Sequence, residues 1–257
     1  MGGMRCNPRS VFLAGLGAAA VATAFALPPI PQWKGYHDFA DARGFGGIPN
    51  ALNVLSNLPF LIVGALGLKF LAGPIRGRGP LSVLMIAFLL VAFGSGLYHW
   101  APDDRTLFWD RLPLSLIFTS MLGITLIERV SPRWGALLFL PLLAAGAGSV
   151  VHWSVTGDLR FYFVIQAAAI LALPLIVLLF PPRYTGGRDL LLVVGLYGLA
   201  KLFEGLDGPV FRAGHLVSGH TLKHLLGGAA AWVYLRMLQR RRAMVPPATM
   251  PPLSVAE

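Results

Sequence analysis

Two histidines, His220 and His224, stand four residues apart near the start of the last apolar stretch of the chain. On a helix that spacing puts both imidazoles on one face, about one turn apart. A helix offers two nitrogen ligands to zinc in this way; the plainer reading is a polar pair at a membrane interface. A third histidine, His99, closes an earlier apolar stretch. Three histidines with an open fourth position make a catalytic zinc site, and three imidazoles at one depth of a bundle are hard to justify without an ion. Ser95 lies one turn before His99 and shares its face. It can hydrogen-bond a water or an oxyanion beside a metal, or it can be a small residue for close helix packing within Gly94-Ser95-Gly96. Asp110 heads the next apolar stretch. A carboxylate there can accept a proton from water or orient a histidine; it is also the charge that a helix N-terminus favours. The two roles are compatible.

The composition says what scaffold must hold these groups. Of 257 residues, 56% are apolar and 12% charged, and the mean hydropathy is +0.68. Soluble domains carry about 25% charged residues, so the chain is expected to be an all-α integral membrane protein. Its net charge of +10 then belongs to membrane topology and not to a nucleic-acid partner. The single cysteine, Cys6, excludes an internal disulfide and a CxxC zinc site. Met4-Arg5 before it lack the residues of a lipid-attachment signal.

The first apolar run, 11–27, is short of the roughly 20 residues that a span needs. Ala22-Thr-Ala24 and Ala24-Phe-Ala26 fit a small-x-small cleavage pattern. Residues 1–27 are therefore a signal peptide or an extra transmembrane helix, and retention is preferred. A polar segment rich in Pro and Gly follows over 28–49. Seven apolar runs come next, at about 51–72, 80–99, 112–128, 134–151, 161–180, 188–204 and 218–238, punctuated by Pro, Gly and Arg. The core domain is thus 28–239, and the basic, Pro-rich tail 240–257 is expected to be disordered.

Alternating runs bring His99, Ser95, Asp110, His220 and His224 to one face of the bundle. Asn53, Ser56 and Asn57 join them on one side of the first run and are expected to brace the site from neighbouring helices. Lys69, Arg76, Arg78, Arg129, Arg133, Arg183, Arg188, Arg236 and residues 240–242 lie at the opposite face. Lys34, Arg43, Arg105, Arg111, Arg160, Lys201, Arg212 and Lys223 lie on the site face with most of the acids. The more basic face is cytoplasmic, so the site faces a periplasm or lumen and the C-terminus is cytoplasmic. Lys201 and Glu204, with Asp207 one turn on, form a structural ion pair or a substrate contact. His152-Trp153 reads as an interfacial anchor, Trp100 and Trp109 as an aromatic belt, and His215 as a loop residue.

Asn53-Val-Leu-Ser-Asn57, Ser95-x-x-x-His99, Asp110-Arg-Leu-Pro113 and His220-x-x-x-His224 together resemble the alkaline ceramidase family. They also resemble its wider superfamily of seven-helix membrane proteins, which includes the adiponectin and progestin receptors. The resemblance covers about residues 36–238. It implies a seven-helix bundle that holds zinc through His99, His220 and His224 and hydrolyses the amide of ceramide to a sphingoid base and a fatty acid. Ser95 matches the family's serine beside the zinc, and Asp110 its aspartate. In the expected chemistry zinc acidifies a water to a pKa of about 7, Ser95 supports the oxyanion, and Asp110 carries the proton to the leaving amine.

The chain departs from the family at two places. Arg111 replaces the Glu of an Asp-Glu-x-Pro motif, which makes it a brace or a substrate contact. The family's acidic calcium site needs several carboxylates before the first of the seven runs. Only Asp38 and Asp41 are there, and Asn50 sits where a Glu is expected, so no calcium site is expected. These changes leave the zinc centre whole and the substrate open. The expected function is a zinc-dependent hydrolase of ceramide or a related N-acyl lipid. The alternative is a non-catalytic seven-helix lipid sensor with structural zinc; against it, the loops and termini are too short to carry a signal. A transporter would need inverted repeats, and none is evident. Oligomeric state is not readable.

Overall fold

A backbone in lipid must satisfy its own N–H and C=O groups, and the long apolar runs of this chain do so as helices. The computed structural model describes residues 7–75 and 77–244. No strand occurs among these residues beyond isolated bridges. Arg5, Cys6, Arg76 and the 245–257 part of the tail lie outside the described residues.

The helices are α1 (Pro8–Ala26), α2 (Ala51–Leu55), α3 (Leu58–Leu71), α4 (Arg78–Trp100) and α5 (Asp104–Thr125), which runs into a π turn (Leu126–Val130). They continue with α6 (Pro132–Thr156), α7 (Arg160–Leu179), α8 (Gly187–Gly205), α9 (Asp207–Gly214) and α10 (Gly219–Arg240). Six are long and apolar enough to cross a membrane: α1, α2 with α3, α4, α5 with its π turn, α6 and α7. The chain is a multi-pass membrane protein. Helices α8 and α10 match the others in length but carry Lys201, Glu204, His220, Lys223 and His224.

Six rods close a ring: α3 packs on α4, α4 on α5, α5 on α7, α7 on α8, α8 on α10, and α10 back on α3. Helix α6 lies outside, against α5 and α7, and α1 lies outside against α7. Phe25 of α1 meets Phe161 edge-on at 5.3 Å, and Arg9 donates to the Leu179 carbonyl at 2.8 Å. Residues beyond α10 fold back: Thr185 N donates to the Arg242 carbonyl, and Met244 N to that of Arg183.

Several boundaries differ from the sequence expectation. The third of the seven runs was expected to begin at 112, with Asp110 at its head. Helix α5 instead begins at Asp104, because Asp103 and Thr106 form a capping box: Thr106 N donates to Asp103 Oδ1 at 2.7 Å, and Asp103 N to Thr106 Oγ1 at 3.1 Å. The bond from Thr106 N, with a second from Thr106 Oγ1 at 2.9 Å, holds the Asp103 carboxyl below its ordinary pKa. Asp110 therefore sits in the second turn, beyond the reach of the terminal dipole, and the caps belong to Asp103. Helix α6 extends to Thr156, so Trp153 is a buried residue and not an interfacial anchor. The first of the seven runs is broken at Ser56–Asn57, where Pro59 supplies no N–H to the turn before it. A short helix, α9, fills the loop before α10.

Pro113 has a similar effect on α5. It leaves the Trp109 carbonyl without its partner four residues on. That carbonyl faces Gly94 of α4, where any Cβ would collide with it. A close approach of α4 and α5 thus lies beside Ser95 and Asp110.

Candidate metal centre

Helix α4 ends, and α2, α5 and α10 begin, at one end of the ring. His99 is in the last turn of α4, and His220 and His224 are in the first turns of α10, which Ser218 caps through Thr221 N at 3.2 Å. All three histidines are buried, His99 completely. His99 Nε2 lies 3.3 Å from His224 Nε2 and 3.3 Å from His220 Nε2. The three possible ligand atoms fall within 4.8 Å of one another. An ion bound tetrahedrally at about 2.0–2.1 Å gives nitrogen–nitrogen edges of about 3.3 Å, so the two closest separations suit one. These three side chains are close enough to bind a metal ion.

The ring orientation of His224 is fixed from behind. At the α2–α3 break, Asn57 N turns to the Val54 carbonyl, which leaves the Asn53 carbonyl to side chains. It accepts from Ser56 Oγ at 3.0 Å, from Asn57 Nδ2 at 2.9 Å and from His224 Nδ1 at 3.2 Å. Ser56 Oγ is also 2.9 Å from that Nδ1. A carbonyl can only accept, so the proton sits on Nδ1 and the Nε2 lone pair points at the other histidines. Asn53 and Ser56 thus contact His224 from behind, and Asn57 bonds the same Asn53 carbonyl. Two Nε2 atoms facing His99 Nε2 at 3.3 Å need a shared partner, and a cation would supply one. The nitrogen donor set suits zinc among several transition metals.

A strap made of residues 28–49 covers the centre. Phe39 packs edge-on against His99 at 4.7 Å and lies tilted over His220 at 5.0 Å. Arg43 binds both oxygens of buried Asp41, at 2.7 and 2.8 Å, and reaches the carbonyls of His215 and Leu216. Those bonds hold the Asp41 carboxyl below the usual range. Asn53 Nδ2 donates to the Asp41 carbonyl, and its Oδ1 accepts from Thr221. Asn50 adopts a left-handed conformation (φ 46°), which asparagine tolerates, and donates to the His99 carbonyl at 2.9 Å. Asp207 ties the ends together, accepting from Ala40 N at 2.9 Å and His220 N at 2.7 Å.

Below the histidines, the six ringed helices enclose one long cavity, and among the described residues none from α6 lines it. Its empty volume is about 1420 Å³, counting its open mouth. It reaches from His224 to Tyr234 on α10, about 15 Å at 1.5 Å per residue. The deep part is apolar, with Phe88, Val91, Ile117, Met121, Leu173 and Val193 on its walls. The polar end carries Ser95, Asp110, Arg111, Lys201 and Glu204. Ser95 is buried, and its Oγ has no hydrogen-bond partner among the described residues.

Lys201 and Glu204 form the expected ion pair, but Glu204 also binds Lys223 Nζ at 3.0 Å. Lys223 and Asp207 were not anticipated as parts of the site. The signal for Lys223 was a charge inside the His220–His224 turn itself. His152 lies instead against Asp158 at 3.6 Å, and His215 against the Phe211 ring; neither joins the centre. No protein-family model matches the chain, and no curated protein matches it.

Proposed function

We propose that the chain is a seven-helix intramembrane hydrolase that uses zinc to cleave the amide of ceramide or a related N-acyl lipid, releasing a fatty acid and a free amine. The observation that carries this reading is the convergence of three imidazole nitrogens at the polar end of an apolar cavity sized for a lipid chain. In it, α8 and α10 complete the seven spans, their polar residues turned to the site.

Zinc held by His99, His220 and His224 would supply Lewis acidity and a water with a pKa near 7. The remaining work falls to the chain. Asp110 accepts the proton of the attacking water. Ser95 Oγ, which has no partner among the described residues, donates to the oxyanion that forms on the amide carbonyl. Asp110 then returns its proton to the amine nitrogen as the C–N bond breaks. Asn53 and Ser56 hold the His224 ring in place throughout. The apolar cavity seats an acyl chain and excludes water from it.

A site that only shapes the fold would be closed on all sides. Here the cavity reaches His224, which favours catalysis over a sensor with structural zinc. The excess of arginine at the far end of the bundle supports a cytoplasmic position for that end, with the site toward a periplasm or lumen. Purified protein incubated with labelled N-acyl lipids should release fatty acid, and His220→Ala should abolish the release. Bound zinc with no turnover of any lipid amide would overturn the hydrolase and leave the sensor.

A further inference from the structure

The cavity's charges are unevenly answered. Lys201 and Lys223 share Glu204. Arg111 is 2% exposed, makes no ion pair among the described residues, and has no hydrogen-bond partner for Nε or Nη1. Aromatic faces surround it instead: its Cζ lies 4.1 Å from the Trp153 centroid, 5.1 Å from Tyr36 and 5.3 Å from Tyr162. Such faces offset part of a cation's charge, but they do not replace the oxygen acceptors that guanidinium N–H groups take in a buried setting.

Arg111 also lines the cavity, as do Asp110, Ser95 and His224. Three cationic lining residues (Arg111, Lys201, Lys223) against two acids (Asp110, Glu204) leave the wall at 3 − 2 = +1, before any ion sits on the histidines. An arginine fork matches a carboxylate or phosphate with two parallel hydrogen bonds.

We propose that the lipid taken into this cavity carries an acidic group near its amide, a carboxylate or a phosphate, and that Arg111 is the residue that binds it. The inference rests on the N-acyl-lipid hydrolase reading and narrows its substrate class, from ceramide itself to an acidic relative. A neutral headgroup offers only hydroxyl oxygens and leaves the cavity's positive charge unmatched.

Two matched pairs of N-palmitoyl lipids test this on the full chain in a non-ionic detergent. One pair is N-palmitoylglycine and its primary amide. The other is N-palmitoyl-O-phosphoethanolamine and N-palmitoylethanolamine. The wild-type protein should favour the acidic member of at least one pair by about tenfold or more in kcat/KM, the scale of a hydrogen bond to a charged group. The pair that shows it identifies carboxylate or phosphate. Arg111→Gln should bring that ratio to about one through KM, and Arg111→Lys, which keeps the charge and loses the fork, should fall between. Equal or reversed preference in both pairs overturns the proposal, and this comparison needs no variant to fold. Should none of the four lipids be cleaved, the hydrolase reading is judged separately, on ceramide and other lipid amides. The same ratios are then read as equilibrium binding, with tenfold tighter binding of an acid upholding Arg111's role and equal binding ending it.

Discussion

The carbonyl oxygen of Asn53 accepts a hydrogen bond from His224 Nδ1 at 3.2 Å, so a break in one helix aims a candidate ligand on another. Ser56 Oγ shares the task at 2.9 Å. Outer partners of a ligating histidine are worth about 10–100-fold in metal affinity. Ser56→Ala removes one of two partners and should lower zinc affinity by about tenfold, measured by chelator competition. Wild-type affinity in that variant would show that Ser56 does not orient the ring.

Each of His99→Ala, His220→Ala and His224→Ala should empty the centre. Elemental analysis of the purified variants checks this against the wild type. Chelation should also lower the melting temperature of the wild type: metal at about 100 times its Kd adds roughly 2.7 kcal/mol. A chelator that leaves the wild-type melt unmoved would argue against a resident ion.

Ser95→Ala should lower kcat by about 10²–10³, the usual cost of losing one oxyanion donor. Asp110→Asn should lower it by about 10²–10⁴. Both variants should keep wild-type metal content. Loss of metal from Asp110→Asn would make that residue a ligand and remove its assigned role.

Gly94→Ala should separate α4 from α5, because the added Cβ meets the Trp109 backbone, which cannot swing away. Overpacking of this kind costs about 1–3 kcal/mol, read as a lower melting temperature in detergent. Gly96→Ala on the same helix meets nothing within 4 Å and should not lower it.

Asp158, in the turn between α6 and α7, anchors the start of the strap. Burial alone would raise its pKa; hydrogen bonds from Arg160 N, Ile30 N and the Arg160 guanidinium outweigh burial and bring it to about 2. Its folded pKa is below the unfolded value of 3.8. The folded state therefore binds fewer protons, and the stabilisation is present above about pH 4 and lost as pH falls through 2. Asp158→Asn should melt lower than the wild type at pH 7, and the gap should close between pH 4 and pH 2. A gap that is constant over this range would mean that the charge contributes nothing.

The histidine triad was legible because His220 and His224 repeat at one helical turn and His99 shares a face with Ser95. The helices were legible as apolar runs, except where the site itself interrupts them. Asp110 and Arg111 hid the first two turns of α5, and only the Asp103–Thr106 cap betrays its start. Lys201, Glu204 and Lys223 lower the hydropathy of α8 and α10 for the same reason: these helices turn polar groups to the cavity. Other features depend on tertiary contact and leave no local trace. Trp153 packing on Arg111 is one, and Phe39 lying over two histidines is another. The exclusion of α6 from the cavity wall is a third, since its run reads like those of the ringed helices.

Phe39 and the Asp41–Arg43 pair close the aqueous side of His99 and His220. A cation seated there would leave only through the apolar cavity or after the 28–49 segment lifts away. Its residence time would therefore follow how often that segment opens, so loading belongs with the final stage of folding and not with exchange at a finished surface.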